Sequence, residues 1–501
     1  MTEDRIPTIG ETIADIRSAL QDYIESTYHI SHPQVVAQRR QLLNDDGVIS
    51  RVAYLESTPK YVSGSRFEDL GLRSPALELL TLLATPREAG GPGILHNPPY
   101  LHQANALTEA TVEGRSLVVT TGTGSGKTES FLMPILSRLA DEAAQRPTSF
   151  CIPAVRALVL YPMNALVNDQ LGRLRLMLGN QSVVDKFVGW SGRPARFARY
   201  TSRTLYPGVR SAKKDTSRLR PIEQFYIDLL DRSDEDTEAG RRAQELIDRL
   251  RERGKWPAKG DLRAWFGPKG ARWQRNGQFV RAVVQAGDAE LFTRHEVLEA
   301  PPDVLVTNYS MLEYMMMRPL ERPVFDATRT WLSDNPAERF LLVIDEAHLY
   351  RGAAGAEVGL LLRRLRTRLG IEADRLQVIC TSASFSNPDS ARTFAAALSG
   401  KRHADFVTVQ GTLALRPVNS GDLSEDLEAL ASISLADLYS ADQGRRLATV
   451  APFLSARNAP DAGSIEQRLY AALQDFEPMN RLINATMMQA RPVSELGEVC
   501  F

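Results

Sequence analysis

The chain has few cysteines and no long apolar run. Its 501 residues include only Cys151, Cys380 and Cys500, which lie far apart and form no CxxC pair. This spacing excludes a disulfide framework and a zinc ribbon, so we expect three buried thiols that pack in a reducing cytoplasm. No uncharged apolar run approaches the length of a membrane span, and the first residues, MTEDRIPTIGET, are acidic and lack an apolar core. These absences predict a cytoplasmic protein with no membrane contact.

The chain also lacks an excess of charge of one sign. It carries 60 Lys and Arg against 61 Asp and Glu, a formal net charge of -1. Attraction to nucleic acid must therefore come from local patches and not from the field of the whole chain. The 43% hydrophobic composition is sufficient for a large core.

Short β-branched runs separated by segments of helix length begin after residue 95. Such runs predict an α/β fold with a parallel sheet covered by helices on both faces. The predicted strands are 116–120, 156–161, 303–307, 340–344, 377–381 and 405–409. Ligands bind at the carboxyl ends of the strands in sheets of this kind, so the functional residues should follow the runs.

The sequence pattern predicts three segments. Residues 1–95 alternate amphipathic helices with turn-rich pieces and form a helical accessory region. Residues 96–415 hold the α/β domain, interrupted between two strands by a large basic insertion at about 171–300. Residues 416–501 are helical again, and we expect them to begin a truncated or missing second part.

The first strand runs into a glycine-rich loop, in LVVTTGTGSGKTESF at 117–131. The loop residues are Thr121, Gly122, Thr123, Gly124, Ser125, Gly126, Lys127 and Thr128. Gly124 and Gly126 permit the positive φ angles that aim successive N–H groups at a phosphate chain. Lys127 is predicted to reach the β- and γ-phosphates of a nucleotide, and Thr128 to ligate Mg²⁺. Thr121 stands where the strict phosphate-loop pattern has glycine.

Two carboxylates follow the buried run FLLVI in FLLVIDEAHLY, residues 340–350. Asp345 at the strand end is predicted to hold Mg²⁺, and Glu346 to orient and deprotonate an attacking water. His348 is interpreted either as a partner in the local polar network or as a coupling residue.

Five stretches then point to a family. TTGTGSGKTES, ALVLYPMNALVNDQL, DVLVTNYSMLEYM, VIDEAH and TSAS resemble motifs I, Ia, Ic, II and III of superfamily 2 DEAD/DEAH (DExH)-box helicases, in their order and approximate spacing. The resemblance covers about residues 95–415 and implies a RecA-like ATP-binding domain that uses ATP and Mg²⁺. The amino-acid sequence around motifs Ia and Ic also resembles that of the large bacterial helicases of the Druantia and DISARM type, which are found in antiphage defence systems.

The resemblance implies roles for further residues. YLHQANAL resembles the upstream glutamine motif, which makes Gln103 the reader of adenine. Motifs Ia and Ic are implied to contact the nucleic acid backbone through Pro162, Met163, Asn164, Ala165, Thr307, Asn308 and Tyr309. Loop capping is the alternative for Asn164 and Asn308. Ser382 and Ser384 would couple the nucleotide state to strand binding, with Ser384 where the family has Thr.

The insertion supplies local positive charge. Residues 193–220 carry nine Lys and Arg against Asp215 alone, which leaves plus eight. Arg196, Arg199 and Arg203 are the predicted phosphate contacts. Residues 251–275 carry eight positive and two negative groups, giving plus six, among tryptophans. The tryptophans either stack on unpaired bases or pack into a small core of the insertion itself.

The motif with the arginine finger is not found after residue 415, and we expect the second RecA-like lobe to be absent. The leading hypothesis is the first lobe of an ATP-dependent helicase or translocase that binds nucleic acid, DNA in preference to RNA. A partner protein or chain segment would supply the second lobe.

The alternative is a regulatory or scaffolding fragment that binds nucleotide and nucleic acid without hydrolysis. A metabolic kinase is disfavoured, because the NYSMLEY and TSAS motifs would have no role in such an enzyme.

Overall fold

The chain divides into two compact units. One combines Met1–Lys60 with Leu413–Phe501, and the other is Tyr61–Thr412. The segment 61–95 thus groups with the sheet and not with residues 1–60, in contrast to the division drawn at residue 95. The computed structural model describes residues 7–45, 47–58, 60–86, 91–122, 124–383, 385, 387–418 and 423–500.

The larger unit is built on one parallel sheet. Its eight strands are β1 (Ser116–Thr120), β2 (Ala157–Tyr161), β3 (Phe197–Tyr200), β4 (Glu290–Leu291), β5 (Val304–Asn308), β6 (Phe340–Ile344), β7 (Leu376–Ser382) and β8 (Phe406–Gln410). They lie in the order β8-β1-β7-β6-β2-β5-β3-β4, and every neighbouring pair is parallel. The six predicted strands are confirmed to within one residue at each end. The predicted parallel sheet with flanking helices is therefore present.

The insertion needs a correction, because the predicted range 171–300 contains two strands of the sheet. β3 pairs with β5, and β4 pairs with β3 at the sheet edge. The segment that leaves the sheet is therefore 201–289. β3 escaped prediction because FARY carries an arginine, and β4 because it is two residues long.

Alternate residues of β1 pack on opposite faces of the sheet. Leu117 and Val119 belong to one apolar cluster and Val118 to the other. The first face is covered by the helices Ser74–Ala84, Leu101–Leu107, Glu129–Gln145, Asn164–Met177 and Gln181–Ser191. The second is covered by Tyr309–Met317, Arg322–Asp334, Gly352–Leu369 and Pro388–Ser399. Each fully buried aliphatic side chain contributes about 1.5–3 kcal/mol, so the two faces hold the strand ends firmly in place.

The insertion has its own core. Its helices are Ala212–Arg218, Arg220–Ser233, Glu238–Glu252 and Leu262–Phe266, with a short hairpin of Gln274–Arg275 and Gln278–Phe279. Trp256, Trp265 and Trp273 are 8%, 0% and 7% exposed and pack together with Phe266. The alternative interpretation therefore holds for the tryptophans: they stabilise the insertion and do not present their faces to bases.

The smaller unit is mainly helical. A two-residue strand pair, Tyr54–Leu55 with Arg491–Pro492, joins its early and late segments. Phe453 and Phe476 pack in its core. Its helices are Ile9–Thr27, Pro33–Asn44, Ser424–Ala431, Leu435–Leu438, Gln443–Ala456, Ile465–Leu473, Glu477–Met488 and Leu496–Cys500.

Two features predicted from the sequence can be compared with the structure, the state of the cysteines and the lack of a membrane-spanning helix. All three cysteines are free, but only Cys380 is buried. Cys151 is exposed and donates to the Ser191 carbonyl at 3.1 Å, and Cys500 is partly buried, so the prediction of three buried thiols is wrong for these two. Every helix in the described part of the chain is too short or too polar to cross a membrane.

Candidate nucleotide and nucleic-acid site

The glycine-rich loop lies between the carboxyl end of β1 and the helix Glu129–Gln145. Gly124 and Gly126 have φ angles of 74° and 72°, the left-handed conformation predicted for them. A Cβ at Gly126 would also displace the side-chain amide of Gln103, in addition to the strain that the positive φ imposes on any other residue. Thr123 lies outside the described residues.

The helix Leu101–Leu107 supports the loop from one side. The imidazole Nε2 of His102 lies 2.9 Å from the Ser125 carbonyl oxygen, and the Gln103 amide donates to the Gly126 carbonyl at 3.0 Å. Gln103 Oε1 also accepts from the Tyr100 N–H at 3.0 Å. Gln103 thus braces the phosphate loop, and its reading of adenine stays a prediction. Within the loop, the Thr121 and Ser125 hydroxyls lie 2.6 Å apart.

Lys127 connects the glycine-rich loop to the carboxylates after β6. Its Nζ lies 3.0 Å from Glu346 Oε1, and the two side chains are 10% and 23% exposed. Thr128 precedes the helix Glu129–Gln145, and its hydroxyl accepts from the Gln170 amide at 3.3 Å. The structure therefore brings together residues that are 219 positions apart in the sequence.

Thr381, the penultimate residue of β7, positions both carboxylate residues. Its hydroxyl donates to Asp345 Oδ1 and accepts from the Glu346 N–H at 3.3 Å. Burial raises the pKa of Asp345 above the ordinary aspartate range, and the adjacent Glu346 charge raises it further. Glu346 itself has a φ of 49°, an uncommon backbone conformation for a residue with a side chain, and such conformations cluster at functional sites.

His348 lies on the other side of Glu346. Its Nδ1 is 3.3 Å from Glu346 Oε2 and 3.3 Å from the Ser382 hydroxyl. His348 therefore bridges the residues after β6 and the end of β7, which agrees with a partner in the polar network and leaves coupling as a prediction. Ser384 lies outside the described residues.

Four residues around this site were missed from the sequence. Thr381 carried a signal, because it ends a predicted strand directly before Ser382. Gln170 and His102 carried little signal in the sequence, since each is recognised only by its contacts in the folded structure. Tyr350 is 2% exposed, and its hydroxyl has no hydrogen bond among the described residues. Burial is the main cause that raises the pKa of Tyr350, and the Asp345 charge raises it further.

The motif Ia and Ic asparagines are in contact. The Asn308 amide donates to Asn164 Oδ1 at 2.7 Å, and Asn308 Oδ1 accepts from the Met311 N–H at 2.7 Å. Asn308 therefore caps the helix Tyr309–Met317, as the capping alternative predicted, and also joins the two loops. Thr307 is fully buried and donates to the Tyr200 carbonyl at 2.6 Å. Pro162 is partly buried just before the helix Asn164–Met177.

The predicted arginines differ in accessibility. Arg203 is exposed, whereas Arg196 and Arg199 are partly buried, and burial lowers the pKa of both. Arg199 donates to Asn168 Oδ1 at 2.5 Å. Arg193 and Arg210 are paired with Asp303 and Asp215 at 2.7 and 3.0 Å. Asp215 is already included in the count of plus eight, so the pairing of Arg193 with Asp303 reduces that count by one. Those two arginines stabilise the fold.

Residues 100–253 match the DEAD/DEAH box helicase family. The chain carries a DEAD/DEAH box helicase domain. It is 39% identical over 525 aligned residues to the Druantia protein DruE of Escherichia coli (strain UMEA 4076-1), an alignment that covers 98% of this chain and 27% of DruE. The resemblance to this helicase family and to Druantia-type proteins is confirmed.

Two further relatives are similar over smaller parts or at lower identity. The uncharacterized ATP-dependent helicase MJ1574 of Methanocaldococcus jannaschii is 35% identical over 109 residues, 22% of this chain and 15% of the relative. Among solved structures, the DUF1998 helicase MrfA bound to DNA has a TM-score of 0.37 at 18% identity, covering 76% of this chain and 32% of that one. The chain spans well under half of the length of each of these relatives.

The oxygen donors of the helicase domain are also chemically suited to Mg²⁺. The described residues contain no group of three or more Asp, Glu, His or Cys side chains that could hold a metal ion. Mg²⁺ is typically held by one or two carboxylates together with substrate phosphates, so the Thr128 hydroxyl and Asp345 suffice beside a phosphate cradle. A cation next to Asp345 would also offset the cost of burying this carboxylate.

Proposed function

We propose that this helicase domain binds and hydrolyses ATP and uses the energy to move along nucleic acid, with DNA preferred over RNA. The Lys127–Glu346 ion pair of 3.0 Å carries the proposal, because it joins the phosphate loop to the carboxylate suited to orient water. The similarity to DruE supports a role in antiphage defence, and the preference for DNA rests on the same resemblance.

In the proposed mechanism, the N–H groups of the loop and Lys127 hold the phosphate chain of ATP. Thr128 and Asp345 are the residues that would hold Mg²⁺, which when bound shields the charge of the phosphate oxygens. A phosphate beside Lys127 competes with Glu346 for the ammonium group. Glu346 is then free to orient the attacking water and to accept its proton.

Asn164 and Asn308 provide the proposed link to the strand. Amide groups and N–H groups at helix starts bind phosphate oxygens without reading sequence. His348 and Ser382 lie between the nucleotide carboxylates and the end of β7, a position suited to transmitting the nucleotide state.

The test is steady-state ATP hydrolysis by the chain, with and without single-stranded DNA, duplex DNA and RNA. We expect hydrolysis that DNA stimulates more than RNA does, with Lys127→Ala and Glu346→Gln each lowering turnover at least about a hundredfold, some 2.7 kcal/mol of barrier. Lys186→Ala is the matched control, because Lys186 forms an exposed pair with Glu78. Equal hydrolysis by the Lys127→Ala variant would contradict the assignment of the site.

The second candidate is a fragment that binds nucleotide and nucleic acid without turnover. In this candidate the Lys127–Glu346 pair persists when nucleotide binds, so that the carboxylate stays engaged and does not activate water. An arginine finger supplied in trans contributes about 10³–10⁵ in rate in related phosphoryl transfer, so a lobe elsewhere could be required for turnover. ATP binding that Lys127→Ala abolishes, together with no hydrolysis under any condition, would select this candidate.

A further inference from the structure

The insertion contains a cavity that the helicase motifs do not use. Its volume is about 700 Å³, within the range of pockets that bind small molecules. The helices Ala212–Arg218 and Arg220–Ser233 form part of its wall, and the segment 269–274 forms another part. No residue of the glycine-rich loop or of the carboxylate site contributes to the lining.

The lining of this cavity is positively charged. Five cationic side chains face two carboxylates, Glu223 and Asp228, so five minus two leaves plus three. Two of the cations are paired, Arg281 with Glu223 at 2.5 Å and Lys269 with Asp228 at 3.6 Å. The other three cations are Lys213, Arg220 and Arg272.

These three side chains are exposed, and within the described part of the chain they have neither a hydrogen bond nor an ion pair. Unpaired cations around one concave surface repel each other and concentrate anions from solution. Arginine in particular forms paired hydrogen bonds with phosphate oxygens. The charge arrangement therefore selects an anion with several oxygen acceptors.

The rest of the lining suits a flat, partly apolar group. Ile227 and Ala271 contribute apolar surface, and the Gln224 amide offers both a donor and an acceptor. Trp273 forms a rigid part of the wall, since its ring is held under the Arg281 guanidinium at 4.0 Å. Exposed cations together with apolar surface and an amide in one lining match the two halves of a nucleotide, its phosphate and its base.

We propose that this cavity binds a nucleoside phosphate, with the phosphate held by Lys213, Arg220 and Arg272 and the base lying against Ile227 and Ala271. The ligand is either a free mononucleotide or the phosphorylated end of a strand, since both present the same chemistry. The proposal does not rest on ATP hydrolysis at Lys127.

The test uses the full chain with Lys127→Ala, which separates this cavity from the phosphate loop. Calorimetry compares AMP with adenosine, and a 5′-phosphorylated oligothymidylate with its 5′-hydroxyl form. We expect at least one phosphorylated probe to bind about tenfold or more tightly than its unphosphorylated counterpart. Preference for AMP alone identifies a free nucleotide, and preference for the phosphorylated strand identifies a strand end.

Two triple variants decide whether the cavity is responsible. Lys213→Gln, Arg220→Gln and Arg272→Gln together should remove the preference for phosphate. The matched control, Arg241→Gln, Arg253→Gln and Lys255→Gln, changes three exposed cations of the same insertion that do not line the cavity, and should retain the preference. The single variant Arg272→Gln, expected to weaken binding severalfold, guards against misfolding of the triple variant. Equal loss in both triple variants, or no preference in the Lys127→Ala chain, overturns the proposal.

Discussion

Asp345 combines burial with the negative charge that the proposed Mg²⁺ site needs. It is 7% exposed, and burial raises its pKa above the ordinary value of 3.8. Folding therefore favours the protonated carboxyl group, so the contribution of Asp345 to stability is full below pH 3.8 and is lost as the pH rises through the raised pKa. At neutral pH the site holds a carboxylate that costs free energy, as functional sites often do.

We predict that Asp345→Asn raises the melting temperature at neutral pH while it lowers Mg²⁺-dependent ATP hydrolysis at least about a hundredfold. Asn keeps the oxygen that accepts from Thr381 and removes the charge. Thermal unfolding from neutral pH downward checks the sign, because the difference from the parent chain should shrink as the pH approaches 3.8. A melting temperature that falls at neutral pH would contradict this account.

At this scale the sequence predicted which residues of the candidate nucleotide site come together, but not which residues position them. Lys127, Asp345 and Glu346 follow strand ends in a recognisable order, so their convergence was predictable. The contact of Gln103 with Gly126 and the double role of Thr381 depend on which strands and helices are neighbours. No local pattern in the sequence specifies those contacts.

At the scale of elements, Asn308 links a helix start to a neighbouring loop. One side-chain oxygen caps the helix Tyr309–Met317, and the amide N–H group binds Asn164. We predict that Asn308→Asp keeps the cap but loses the bond to Asn164 and lowers the free energy of unfolding by about 1 kcal/mol, whereas Asn308→Ala loses both contacts and lowers it by about 2 kcal/mol. Urea unfolding measures both values.

The same two variants separate capping from strand binding. Asn308→Asp adds a negative charge where a phosphate is proposed to bind, so we expect affinity for single-stranded DNA to fall about tenfold or more, which is 1.4 kcal/mol. Fluorescence anisotropy measures this affinity. If Asn308→Asp binds DNA as well as the parent chain does, the strand does not pass this loop.

The insertion is held to the edge of the sheet by a buried ion cluster. Lys259 is fully buried and lies 2.9 Å from Asp288 Oδ2 and 2.6 Å from Glu296 Oε1. The Trp265 indole N–H also donates to Glu296 Oε1 at 2.8 Å. One cation thus pairs with two carboxylates that are removed from water.

We predict that Lys259→Met destabilises the insertion by about 3–5 kcal/mol, because it leaves two buried carboxylates without their cation. Hydrogen exchange should show loss of protection in the helices around Trp265 before the central strands are affected. Arg242→Met is the control, since Arg242 and its partner Glu238 are 75% and 71% exposed, and it should cost less than about 0.5 kcal/mol. Equal effects of the two variants would contradict a structural role for the cluster.

The elements that could be predicted share one property. The six predicted strands are all runs rich in β-branched and aliphatic residues. Five of them lie in the interior of the sheet, where helices cover both faces, and β8 forms one edge. β4 forms the other edge with β3 beside it, and tertiary pairing alone defines these two strands. The basic and aromatic pattern of the insertion was equally ambiguous, since buried and base-stacking tryptophans have the same sequence signature.

At the scale of the whole molecule, the nearly balanced charge makes affinity for nucleic acid depend on a few exposed cations. The net charge of -1 offers no general attraction to a polyanion. Two arginines of the basic stretch, Arg193 and Arg210, stabilise the fold by pairing with carboxylates. Arg203 differs from these, because its guanidinium has no partner among the described residues and is exposed to solvent.

We therefore predict that Arg203→Gln weakens binding to single-stranded DNA by a similar factor for every sequence and reduces the slope of log affinity against log salt by about 0.7. The reason is counterion release, since a cation that contacts one phosphate displaces about that fraction of a bound counterion. Anisotropy titrations over a series of salt concentrations measure the slope. Arg241→Gln removes another exposed cation, from the helix Glu238–Glu252, and should leave the slope unchanged. An equal change in slope for both variants would mean that the strand responds to the diffuse charge of the insertion, and the predicted phosphate contact of Arg203 would then be wrong.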